Sequence, residues 1–119
     1  GGKRMIKEEK MNEFTPKQQI ILNNLSYGKE NAISKRELMK LTGLDERSVR
    51  SNIAILRKSK NILICSNSQS KGYYFPKDAQ EALEFVHETN GRIAELAKIA
   101  KKAKKWANKN LNQISMVVD

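Results

Sequence analysis

Apolar residues in this chain recur with two different periods. Ile21, Leu22 and Leu25 follow Thr15-Pro16, a threonine cap and a proline at the first helical position, which predicts a first helix over Lys17 to Leu25, closed by Tyr27-Gly28. Ser34 and Glu37 have capping-box spacing, so a second helix is predicted from Lys35, with Leu38, Leu41 and Leu44 on its apolar side. Gly43 supplies the positive φ that ends it. After a turn at Thr42 to Leu44, Asp45 caps a third helix with one buried stripe, Val49, Ile53 and Leu56. Ile62 to Cys65 is a short β-type run, Ser66 to Gly72 a polar loop, and Tyr73 to Phe75 a second strand closed by Pro76, which together sign a hairpin. From Asp78, in capping-box spacing with Glu81, apolar and small residues return at close to the helical period: Ala82, Val86, Thr89, Ile93, Leu96, Ala100, Ala103, Ala107, Leu111 and Ile114. That predicts a helix of roughly 30 residues, about 45 Å at 1.5 Å per residue. Gly91 is its weak point, costing about 1 kcal/mol relative to alanine, and marks a possible bend.

The side of the third helix opposite Val49 and Ile53 carries Arg47, Ser51 and Lys58, flanked by Ser48, Arg50 and Ala54. These are cations, hydroxyls and a small residue, with no carboxylate. Such a face suits a major groove, where small residues permit close approach, hydroxyls bond phosphates or base edges and arginines fork onto guanine. It equally describes an ordinary solvated helix face, and the neighbouring segments weigh between the two.

The order helix, turn, helix, hairpin, carried by SKRELMKLTGLDERSVRSNIAILRK and then GYYF, resembles the winged helix-turn-helix family. The likeness is to the type found at the N-terminus of biotin-operon repressors and in small phage-encoded DNA-binding proteins. It covers roughly Thr15 to Pro76. The resemblance implies a mainly α fold with a small β-hairpin wing, a small strand supplied by Ala32-Ile33 before the helix pair, and a recognition helix at 46–59 in the major groove. It further implies phosphate contacts from Ser34, Lys35 and Arg36 and from the wing, whose Asn67, Ser68, Gln69, Ser70 and Lys71 include no acid. Winged helices also serve as protein-binding modules, so fold alone does not decide function.

Composition narrows the choice. The chain has 119 residues, enough for one domain and an extension, expected as a frayed segment at 1–13, a winged domain at 14–77 and a long helix at 78–115. Gly1-Gly2 reads as a cloning remnant, with Met5 or Met11 as the natural start. Lysine and arginine number 23 against 13 acids, a net charge of +10, which favours polyanionic partners. The charge is blocked. Seven cations face one acid over residues 46–77, five acids face one cation over 78–95, and six lysines face no acid over 98–109.

An alanine-rich seam predicts a homodimer through Val86, Ile93, Leu96, Ala100, Ala103 and Ala107, whose charge blocks would complement each other if the two helices ran antiparallel; the sequence leaves their direction open. The helix dipole alone accounts for part of that charge arrangement. Lys98, Lys101, Lys102, Lys104, Lys105 and Lys109, with Trp106 among them, read alternatively as a phosphate clamp, and membrane binding ranks last because alanine offers little apolar area.

Cys65 is the sole cysteine and His87 the sole histidine, so no disulfide, metal set or cofactor is expected, and nothing assembles into a catalytic constellation. No apolar run approaches the length a bilayer requires. The expectation is a cytoplasmic, non-enzymatic protein of a bacterial host cell: a dimeric phage or bacterial transcriptional regulator that binds double-stranded DNA. The competing expectation is an interaction module that organises phage replication or inhibits a host or defence protein, using the winged domain and the charged helix.

Overall fold

The computed structural model describes residues 11–66 and 72–111. The chain is mainly helical, with α1 at Pro16–Asn23, a 3-10 turn at Lys29–Asn31, β1 at Ile33–Ser34, α2 at Lys35–Thr42, α3 at Glu46–Arg57, β2 at Cys65–Ser66, β3 at Gly72–Tyr74 and α4 at Ala79–Lys109. It divides into two compact units, one ending at Phe85 and one beginning at Val86.

The first unit starts from a reciprocal cap. Thr15 Oγ1 accepts from the Gln18 backbone N–H at 3.2 Å, while Gln18 Oε1 accepts from the Thr15 N–H at 3.1 Å, satisfying two donors that no helical carbonyl can reach. α1 stops at Asn23, short of the predicted Leu25. The N–H groups of Asn24 and Leu25 turn to carbonyls three residues back, and the Asn24 amide donates to the Ile20 carbonyl at 2.7 Å, so the last turn tightens and closes. Tyr27 and Gly28 therefore lie beyond the helix. Ser26 and Gly28 bracket Phe75 with two backbone bonds of 2.9 and 2.8 Å, and the Tyr27 and Phe75 rings stand 5.2 Å apart. Gly28 takes φ of 100°, a conformation strained for any residue with a Cβ.

Ser34 Oγ caps α2 by accepting from the Glu37 N–H at 3.1 Å, and Gly43 ends that helix at φ 74° as predicted. The return half of the Ser34–Glu37 box is not made; Ser34 is already paired with Gly72 in the sheet. Leu38 is fully buried, but Leu41 is exposed, because α2 turns Leu38 and Met39 rather than Leu38 and Leu41 toward the core. Asp45 Oδ1 accepts from the Ser48 N–H at 2.8 Å and starts α3, whose Val49, Ile53 and Leu56 are buried together.

The sheet is antiparallel in the order β1-β3-β2, with Ile33 opposite Tyr73 and Cys65 opposite Tyr74. The predicted run Ile62 to Cys65 is not a strand over most of its length. Ile62 and Ile64 are buried and Leu63 points outward as an irregular segment, and pairing begins only at Cys65, where β3 lies alongside. Gly72 is required by close approach: a Cβ there would sit 2.9 Å from the Ile33 carbonyl carbon. One core takes Ile21, Leu22, Leu25, Ile33, Leu38, Val49, Ile53, Leu56, Ile62, Ile64 and Phe75. Burial pushes the Cys65 thiol up to about 11, so it packs as a small hydrophobe.

α4 opens with Asp78 Oδ1 accepting from the Glu81 N–H at 2.9 Å. The expected reciprocal bond gives way to a larger one. The buried Glu81 carboxylate receives the backbone N–H of Lys29 at 3.1 Å and that of Lys77 at 3.2 Å, fastening the start of α4 to the 3-10 turn. The helix then runs unbroken through Gly91 to Lys109. The second unit is the continuation of this helix from Val86.

Candidate nucleic-acid interface

The outward side of α3 is built by its own stripe. With Val49, Ile53 and Leu56 turned inward, about 100° per residue sends Arg47, Arg50, Ser51 and Lys58 outward, and all four are exposed. Glu46, Arg47, Arg50 and Ser51 line a shallow depression of about 450 Å³. Ser48 is half-buried, its N–H and its hydroxyl both bonded to the Asp45 carboxylate and its carbonyl accepting from the Asn52 amide at 2.8 Å. Asp45 is held below the ordinary carboxylate range by the Ser48 N–H.

The face is not free of carboxylates. Glu46 stands at its leading edge, 2.6 Å from Lys35 Nζ and 3.7 Å from Arg50 Nη1, and the Lys35 hydrogen bond pulls its carboxyl below the usual range. Of the cations placed on this surface, Lys35 and Arg50 thus share one anion. Arg47, Arg36 and Lys58 make no ion pair among the described residues, and all three are exposed. Ser34 is committed to capping α2 and half-buried. Asn67, Ser68, Gln69, Ser70 and Lys71 lie outside the described residues.

Two residues of consequence escaped the sequence pattern. Ile55 is exposed one turn beyond Ser51, on the same outward side, an apolar side chain among polar ones. Arg57 turns away from that face. Its Nε donates to the Ile64 carbonyl at 3.1 Å and its Nη2 to Ser66 Oγ at 2.9 Å, while the guanidinium lies 5.7 Å from the centres of both the Tyr73 and Phe85 rings. It joins α3, the hairpin strands and the first turns of α4. The Glu46 to Arg50 spacing of four was visible as a helix ion pair, but nothing local to Arg57 announces its partners.

On α4, Val86, Ile93, Leu96, Ala100 and Ala103 are exposed and Ala107 is half-buried within the single chain. Among the described residues no group of three His, Cys, Asp or Glu side chains could hold a metal ion, and no helix is long and apolar enough to cross a membrane. No family model matches the chain, and no curated protein or solved structure is significantly similar to it.

Proposed function

We propose that this chain is a winged helix-turn-helix protein that binds double-stranded DNA in a sequence-specific manner, as a small non-enzymatic regulator of the phage or bacterial kind. The observation that carries the reading is the outward side of α3: Arg47, Arg50, Ser51 and Ile55 project from a helix whose opposite stripe is locked into the core. Arginine forks onto guanine, serine reaches phosphate or base edges, and isoleucine contacts a thymine methyl, so this one face offers three modes of readout. Lys35 and Arg36, at the start of α2, lie where a backbone phosphate would be held beside it. The order α1, β1, α2, α3, β2, β3, with β3 between the other two strands, agrees with this reading.

A second reading has one observation in its favour. Residues 78–95 carry five acids, which repel DNA, so α4 suits a protein partner even if α3 reads a duplex. Selection from a randomised duplex library at two salt concentrations separates the readings. An enriched motif is expected; tight, steeply salt-dependent binding without enrichment indicates a phosphate clamp, and no duplex binding near physiological salt leaves the interaction module.

A further inference from the structure

The part of α4 beyond the first unit presents an apolar face that is exposed among the described residues. Ile93, Leu96, Ile99 and Trp106 are each 57–65% exposed. Their spacing is stricter than an amphipathic helix needs. Val86, Ile93, Ala100 and Ala107 stand seven residues apart, and so do Ala82, Thr89, Leu96 and Ala103, the two series interleaving at steps of four and three. An ideal straight helix drifts about 20° per heptad against such a repeat, so a sustained period of seven is the period of a helix wound against another helix. Ile99 and Trp106 continue a third line of the same period and widen the seam on one shoulder.

Charge identifies the occupant and its direction. Residues 78–95 hold five acids and one cation, whereas 98–109 hold six lysines and no acid. Packed helices lie about 8–10 Å apart, no more than about one Debye length at physiological salt. A parallel pair would set one lysine block alongside another. An antiparallel pair sets each acid block beside the other copy's lysines. In antiparallel packing the first series faces the second, and one register uses the whole repeat. Ile93 then faces Leu96 of the second copy, Thr89 faces Ala100, Val86 faces Ala103 and Ala82 faces Ala107. The largest side chains meet at the centre, and toward the ends each residue faces an alanine, which lets the helices approach closely. The same register brings Glu84 and Glu88 level along the axis with Lys105 and Lys101, all four on the outer sides of the pair, where block charge and not a direct ion pair sets the preference.

We infer that α4 binds a second copy of this chain as an antiparallel two-helix coil centred between Ile93 and Leu96. This holds whatever α3 binds. Sedimentation equilibrium of the full chain at tens of micromolar is expected to give a dimer that weakens on raising salt from about 50 to about 500 mM, the sign for opposed charge blocks. Leu96→Asp, at a position exposed in the single chain, should give a monomer with the same melting of the first unit. Oxidation of mixed Thr89→Cys and Ala100→Cys chains should yield the mixed disulfide, with Cys65 buried out of reach. A wild-type monomer at about 100 micromolar would overturn the inference and leave the face to a different protein. A dimer that survives Leu96→Asp would overturn the seam. A disulfide between two Thr89→Cys chains, or a dimer that tightens with salt, would overturn the antiparallel direction.

Discussion

At the scale of single residues, the outward side of α3 works by a balance of charge. Arg47 projects without an ion pair among the described residues, whereas Arg50 and Lys35 share the Glu46 carboxylate. In the proposed complex Arg47 is the fork onto a base. Arg47→Ala is expected to weaken specific duplex binding by about 1–3 kcal/mol and to flatten preference at one base position; equal loss on all duplexes would make it a phosphate contact. Glu46 acts in the opposite sense, because a carboxylate beside phosphates repels them and also occupies two of the cations meant for them. Glu46→Gln should therefore raise affinity for unselected duplexes roughly tenfold at low salt and erode the gap between selected and unselected sequences. Fluorescence anisotropy with both kinds of duplex reads the two effects. If affinity does not rise, Lys35 and Arg50 are not withheld by Glu46.

At the scale of elements, caps and clamps decide where helices begin and how they join. Glu81 spends its carboxylate on the N–H groups of Lys29 and Lys77 in a buried setting. Glu81→Ala strands those donors and is expected to cost about 1–3 kcal/mol, read as a lower denaturation midpoint with an unchanged slope. The α3 cap is a pH-dependent element. The Ser48 N–H holds Asp45 below its ordinary value of 3.8, so its contribution is fully present above that value and is lost as pH falls through the lower folded one. Asp45→Asn keeps a capping oxygen without a titrating proton, and its thermal stability should fall less steeply than the wild type's in this acid range. Arg57 is the third joint. By bonding the Ile64 carbonyl and Ser66 Oγ it sets the start of the hairpin relative to the end of α3.

At the scale of the whole molecule, the described core lies between Ile21 and Phe75, and the elements that clamp it end at Phe85. A chain ending after Thr89 is expected to keep the thermal midpoint of the first unit within a few degrees while losing self-association, as calorimetry and sedimentation would measure. Sequence alone determined the helix starts at Thr15, Ser34 and Asp45, the turn at Gly43, the inward stripe of α3, the exposed cations behind it and the blocked charge of α4. Each depends on residues within one or two turns of one another, so spacing suffices. Tertiary structure alone decided that Leu41 faces water, that Cys65 alone of its run pairs as strand, that Glu81 reaches Lys29 across 52 residues of chain, and that Arg57 turns to the hairpin while Glu46 takes Lys35. Those outcomes follow from which distant groups could satisfy a buried donor, a carboxylate or a guanidinium, and the chain's local spacing holds no record of such partners.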